Sequence, residues 1–234
     1  MRPKHTHTPH LIGNQRRQQA FTLIELLASI AIIAILIAVI LPAIAHVRER
    51  GDRVACVSNI RALLTATLQE ASFKNGVLPE LHQSTYNNPY WFDADNLESF
   101  RDTYQLSVDT FYSSSNPDWD AENFWEYSET AKVAGYLYMG NDNNWANSAV
   151  LSEKISEELT PFAKRVTDES AYQHLWVDLT RQMGGEWGTG VTHHDASGEP
   201  TGSHAGFRDG HVEWIPWEEL SERHMQIGGI KMWF

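Results

Sequence analysis

Histidine and acidic residues cluster towards the C-terminal end of the 234-residue chain, where their side chains could hold a metal ion. Imidazole nitrogens and carboxylate oxygens are common zinc ligands, and residues around a turn can converge on one ion. The alternative, which we favour, is that they are surface loop and turn residues. We therefore predict no metal site from this group, which contains His193, His194, Asp195, His204, Asp209 and His211.

A second acidic group, Asp118, Asp120 and Glu122, has carboxylate oxygens that could bind calcium. The twelve-residue calcium loop, with its central glycine and terminal glutamate, is absent from this segment. We predict that the protein needs no cofactor, and we keep calcium at Asp118 and Asp120 as an alternative.

Ser203, His204 and Asp209 have the residue types of a hydrolytic catalytic triad. The sequence lacks a GxSxG nucleophile elbow, a phosphate-binding loop and a dinucleotide-binding fingerprint. We therefore predict that the protein is not an enzyme. Cys56 is the only cysteine, so no intramolecular disulfide can form, and we predict a small buried residue on a helix.

Glu25 is an ionisable residue within a long apolar segment, residues 21–45, whose other polar residues are Thr22 and Ser29. As a helix this segment is about 37 Å long, which is enough to cross the hydrocarbon core of a membrane. A carboxylate at such a place is costly and is expected to have a functional cationic partner. Pro42, near the C-terminal end of this segment, lacks a backbone N–H donor, so we predict a kink in the helix there.

Basic residues precede the apolar segment, and acidic residues dominate the chain after it. Residues 1–20 contain four Lys and Arg and no acid, so the remaining chain has 14 basic residues (18 less 4) against 30 acidic ones. Such an acidic head excludes nucleic acid as a partner, because phosphate binding needs cations. An ordinary secretory signal is disfavoured because the apolar segment exceeds a typical signal core.

The hexapeptide from Ala20 to Glu25, AFTLIE, resembles the prepilin peptidase site of type IV pilins and type II secretion pseudopilins. The resemblance implies cleavage between Ala20 and Phe21, methylation of the new Phe21 amine, and pairing of Glu25 with the amino terminus of a neighbouring subunit. A carboxylate removed from water needs such a cation. The resemblance also implies a cytoplasmic leader, a single inner-membrane helix and a periplasmic head.

Two further segments resemble pseudopilin-like proteins of planctomycetes and verrucomicrobia. One is CVSNIR at residues 56–61 followed by GVLP at 76–79, and the other is DGHV at 209–212, similar to the H-x9-DG domain. Glu199 stands where that domain has its histidine, which implies an insertion around residues 195–200. Ser113 follows Tyr112 where relatives often have a cysteine.

The elements that would position these residues form an α+β protein. Apolar spacing predicts one helix from Thr22 to Ser72, half in lipid and half packed on the head. Alternating patterns predict antiparallel strands at residues 135–139 and 174–179, and a hairpin over 205–215 that turns at Asp209 and Gly210. Residues 152–165 are predicted to form a surface helix. The predicted domains are a cleaved leader (1–20), a transmembrane helix (21–45), the soluble half of that helix (46–75) and the head (76–234).

These expectations lead to a structural subunit of a type IV pilus or type II secretion pseudopilus. Its expected partners are prepilin peptidase, other pilin or pseudopilin subunits and inner-membrane lipid, and it could reach the cell surface in a filament. The alternative is a membrane-anchored, exported binding protein that does not polymerise.

Overall fold

The computed structural model describes residues 22–82, 88–141, 162–170, 172–195, 197–226 and 230–234. The chain separates into two units, Met1–His46 and Val47–Phe234. Helix α1, Leu23–Phe73, has 51 residues and confirms the long helix predicted from the apolar spacing. It continues through Pro42, and the kink predicted there stays a prediction.

The first unit contains the apolar part of α1. Leu23–Leu41 is a 19-residue stretch long and apolar enough to cross a membrane, and none of it is buried inside the protein. At 1.5 Å per residue it spans about 28 Å, close to the thickness of a hydrocarbon core. Among the described residues it is the one helix with these properties.

The second unit is built around a four-stranded antiparallel sheet in the order β3-β4-β6-β7. The strands are β3 (Tyr136–Tyr138), β4 (His174–Asp178), β6 (Gly202–Phe207) and β7 (Val212–Pro216). This sheet confirms the strands and hairpin predicted from the sequence. Of the two predicted turn residues only Gly210 has positive φ, at 95°.

The described part of this unit also contains two smaller antiparallel sheets. The first pairs β1 (Trp91–Asp93) with β2 (Ala131–Val133). The second has the order β5-β9-β8 and consists of β5 (Arg181–Met183), β8 (Glu222–Gln226) and β9 (Ile230–Trp233). Two helices, α2 (Ala94–Thr103) and α3 (Ala121–Phe124), and two 3-10 turns, Val108–Phe111 and Trp217–Glu219, lie between the strands. None of these three sheets is parallel, as the sequence predicts.

The C-terminal part of α1 packs on one face of the central sheet. Gly206 lies under the helix, since a Cβ atom there would come within 2.7 Å of Ile60 Cγ2 and 3.4 Å of Leu64 Cδ2. The missing side chain thus lets helix and strand approach closely. The core on this face also contains Tyr136, Tyr138 and Trp176.

The opposite face of the sheet is buried as well, which the sequence did not reveal. Leu137 and Val177 belong to a second core with Met232 and Phe234 from the C-terminal end. A strand buried on both faces shows no polar alternation, and this explains the continuous apolar run in β4.

Some sequence predictions fall outside the described residues. Ala20 and Phe21 are among these, and so are residues 152–161 of the predicted surface helix. The last four residues of that predicted helix, 162–165, are described and are not helical, and Phe162 and Ala163 are buried. The prediction of a surface helix is therefore wrong over these four residues.

Candidate functional site

The start of α1 is closed by a reciprocal pair of hydrogen bonds between Thr22 and Glu25. The Thr22 backbone N–H and hydroxyl donate to Glu25 Oε2, at 2.9 and 2.8 Å, and the Glu25 N–H donates to Thr22 Oγ1 at 3.3 Å. This is a capping box, which satisfies backbone donors that have no partner inside the helix. The sequence pattern assigned Glu25 only an intermolecular role, and this local role was missed.

The capping box leaves part of the carboxylate available to another molecule. Both Thr22 bonds end on Oε2, so Oε1 can accept a hydrogen bond from a cation without breaking them. Glu25 is exposed at the beginning of the apolar stretch Leu23–Leu41. It therefore combines a helix-capping role with a position from which it can meet a partner.

The same segment is covered by a match to a family of known proteins. The family model described as the prokaryotic N-terminal methylation motif matches residues 15–41. This chain carries a prepilin-type N-terminal methylation motif. No curated protein and no solved structure matches the chain.

The prepilin-type motif and the apolar helix coincide along the chain. The match includes Ala20, Phe21 and Glu25 and ends at Leu41, the last residue of the membrane-length stretch. The prepilin-type motif therefore overlaps the helix that is long and apolar enough to anchor the protein in a membrane. The match does not reach the head, so the resemblance of residues 209–212 to the H-x9-DG domain stays a prediction.

A second candidate site is a buried polar cluster in the head, centred on Asp178 at the end of β4. Asp178 Oδ2 accepts hydrogen bonds from the backbone N–H of His204 at 2.7 Å and its Nδ1 at 2.9 Å. The Nε2 atom of His193 lies 3.0 Å from the same oxygen. The prediction that His193 and His204 are surface residues is wrong, because both are buried.

The charges of this cluster stabilise one another. Burial alone would raise the pKa of Asp178, but His193 and His204 hold that pKa well below its usual range. Burial likewise disfavours charge on His193, but Asp178 outweighs this and raises the pKa of His193 to about 9. Asp178 and His193 thus form a buried ion pair at neutral pH.

Cys56 extends the cluster from the helix side. Its Sγ atom, a carboxylate oxygen of Asp178 and a ring nitrogen of His193 all lie within 4.8 Å of one another. Cys56 Sγ is also 2.7 Å from Ser113 Oγ. The prediction that Cys56 is buried on a helix is confirmed, and its sulfur lies among polar groups of Ser113, Asp178 and His193.

The other histidines predicted in this group lie elsewhere. His194 is exposed, and its Nδ1 contacts the carbonyl oxygen of Asp195 at 2.9 Å. His211 is half-exposed, stacks on Phe207 and contacts Asp209 Oδ1 through Nδ1 at 2.5 Å. The structure therefore keeps His193 and His204 in the cluster and separates His194 and His211 from it.

The predicted triad and calcium residues have local structural roles. Ser203 is buried and bonds to backbone carbonyls, whereas Asp209 is exposed in the hairpin turn, so Ser203, His204 and Asp209 do not assemble into a triad. Asp120 Oδ1 accepts hydrogen bonds from the backbone and side chain of Asn123 and caps α3. Asp118 is exposed, and calcium binding in this segment stays a prediction.

Asp178 was not predicted as a site residue, although it carries the cluster. The signal was an acidic residue inside an apolar strand, in the segment LWVDL. A buried carboxylate in such a strand requires partners with donors or positive charge. Nothing in the sequence shows that those partners come from residues as distant as Cys56 and His204.

Proposed function

We propose that this protein is a structural subunit of a type IV pilus or type II secretion pseudopilus. In this proposal prepilin peptidase removes the leader before Phe21, and the new amino terminus is methylated. The helix then leaves the inner membrane and packs against the helices of other subunits in a filament core. The head lies in the periplasm before assembly and on the outside of the filament afterwards.

The observation that carries the proposal is the position of Glu25. It stands at the first turn of a helix whose next 16 residues, 26–41, belong to the unburied apolar stretch. Such a surface is stable in lipid or against similar helices, but not in water. A carboxylate in that environment needs a cation, and the Phe21 amine of a neighbouring subunit has the required charge.

Contacts of this kind are head-to-tail rather than mutual, because the amine of one copy meets the carboxylate of the next. Repeated head-to-tail contacts that do not close into a ring produce a helical filament. This is the physical reason for preferring an assembled subunit to a chain that stays alone in the membrane.

The test measures incorporation of tagged copies into filaments sheared from cells that also express the untagged chain. Glu25→Gln removes the charge but keeps an oxygen that can accept the Thr22 hydrogen bonds. We expect this variant to be processed normally and to be absent from the filaments. Thr22→Val is the matched control, since it removes the capping hydroxyl and keeps the charge, and we expect it to be incorporated.

Two results would argue against the proposal in different ways. Normal incorporation of Glu25→Gln would eliminate the charge pairing as the basis of assembly. Absence of the wild-type chain from all sheared material, with the processed protein retained in the membrane, would favour an anchored protein that does not polymerise.

A further inference from the structure

The strongest chemical site outside the N-terminal segment is the cluster formed by Cys56, Asp178, His193 and His204. These residues come from α1, from the end of β4, from the segment after β5, and from β6. Their donor atoms are one sulfur, two imidazole nitrogens and a carboxylate. From this geometry we infer that the four side chains form a structural binding site for a zinc-type divalent transition-metal ion.

The distances suit such an ion. Zinc bonds of about 2.3 Å to sulfur and about 2.0–2.2 Å to nitrogen and oxygen place neighbouring ligands about 3.3–3.6 Å apart. His204 Nδ1 is 3.2 Å from His193 Nε2 and 2.9 Å from Asp178 Oδ2, both slightly below that spacing, as expected for hydrogen-bonded atoms that an ion would push apart. The Cys56, Asp178 and His193 ligand atoms lie within 4.8 Å of one another, and His204 Nδ1 adjoins the Asp178 and His193 atoms of this group. An ion that binds here displaces the imidazole protons that face Asp178 Oδ2 and the thiol proton of Cys56.

A second observation on Asp178 points to a ligand. Its Oδ1 atom is buried and has no hydrogen-bond partner among the described residues, whereas Oδ2 has three contacts. Buried carboxylate oxygens are nearly always paired, because loss of their hydration is costly. Coordination of a cation by this carboxylate would remove that cost.

The closed surroundings favour a structural ion over a catalytic one. Relative exposure is 0% for Cys56 and Asp178, 5% for His193 and 4% for His204. The Trp214 ring packs on both imidazoles, at 5.2 and 4.8 Å, and the Arg53 guanidinium lies 4.3 Å above that ring. Structural zinc sites have four protein ligands and no open position, which is the arrangement expected here.

The ligand types also discriminate among metals. Calcium and magnesium prefer oxygen donors, so neither ion is expected at a site with a thiolate and two imidazoles. Zinc accepts sulfur, nitrogen and carboxylate oxygen together. One thiolate and one carboxylate neutralise a dication, so the loaded site has no net charge in the low-dielectric interior. Such an ion would join α1 to β4 and β6.

The test uses the purified full-length chain in detergent, stripped of metal and then titrated with cobalt(II) as a spectroscopic substitute for zinc. We expect one cobalt per chain, a thiolate-to-cobalt charge-transfer band, and loss of that band when zinc is added. Because Cys56 is the only cysteine, the band reports this site directly in the wild-type chain. Zinc should also raise the melting temperature of the metal-free protein.

Variants separate the buried site from exposed histidines. Cys56→Ser and His193→Ala should lose the stoichiometric ion, whereas His194→Ala and His211→Ala, which change exposed histidines, should keep it. If a buried-site variant fails to fold, the wild-type cobalt spectrum alone decides. Absence of the thiolate band, or cobalt binding that His194→Ala or His211→Ala abolishes, would overturn the inference.

Discussion

The indole N–H of Trp176 donates a buried 2.9 Å hydrogen bond to Oγ1 of Thr67, and this bond joins β4 to α1. The two residues are 109 positions apart in the chain. Both are fully buried, and the Trp176 ring packs against Tyr138 and Phe92. The contact fixes the register of the helix on the sheet that it covers.

Thr67→Val should destabilise the head, because it removes the acceptor and leaves the Trp176 N–H buried without a partner. The expected loss in the free energy of unfolding is about 1–3 kcal/mol. Urea unfolding followed by tryptophan fluorescence measures it. Thr65→Val is the matched control, since both threonines bond to the carbonyl four residues back and only Thr67 meets Trp176. Equal losses in the two variants would show that the indole contact contributes nothing.

The surroundings of His174 lead us to expect that the stability of the folded head depends on pH. It lies in β4 with its ring near Tyr172, Phe207 and Phe234, and desolvation lowers its pKa from 6.5 to about 4. As pH falls below about 6.5, the His174 imidazole becomes protonated in the unfolded chain while it is still neutral in the folded one. This difference in proton binding favours unfolding. The contribution of His174 to stability is thus present above about pH 6.5, declines as pH falls, and levels off below about pH 4.

The variant His174→Phe should show a weaker loss of stability on acidification than the wild-type chain. Melting temperatures between about pH 7 and pH 4.5, with chelator present, give the two slopes. His194→Gln removes an exposed histidine and should keep the wild-type slope. Parallel curves for His174→Phe and the wild type would contradict the assignment.

Ser113→Cys should form an intramolecular disulfide with Cys56. The Ser113 Oγ atom is 2.7 Å from Cys56 Sγ, so a sulfur placed there comes within reach of bond formation. In oxidised glutathione, both thiols lose their protons and electrons to the glutathione disulfide. The closed loop should stabilise the head by about 2–4 kcal/mol. Because the disulfide consumes the Cys56 thiol, oxidised Ser113→Cys should also lack the cobalt–thiolate band that the wild-type chain is expected to show.

Non-reducing mass spectrometry of proteolytic fragments identifies that disulfide. Ser114→Cys is the control because Ser114 is exposed, and it should not cross-link to Cys56. A Ser113→Cys chain that keeps two free thiols under oxidising conditions would show that the two side chains are not adjacent.

Local signals explain which parts of the fold could be predicted. The long helix is encoded by apolar spacing, and the β6–β7 hairpin is encoded by Asp209-Gly210 between alternating residues. Both depend on neighbours within a few positions. The Thr22–Glu25 capping box was equally readable, as threonine three residues before glutamate, but the membrane interpretation of Glu25 obscured it.

The buried cluster could not be predicted, because it depends on contacts between distant parts of the chain. Cys56 meets Asp178 and His193 only after α1 packs on the central sheet, and no short-range pattern encodes that contact. His193 and His194 are identical neighbours in the sequence, yet one is buried and the other exposed. Only the course of the chain after β5 distinguishes them.

The N-terminal residue of the mature protein tests most directly whether the chain is processed as a prepilin. Mass spectrometry of the chain purified from cells that contain prepilin peptidase should find N-methylated phenylalanine at position 21. The same chain from cells without the peptidase should retain its leader. A mature protein that keeps residues 1–20 in the presence of the peptidase, or that is cut at another position, would contradict the account.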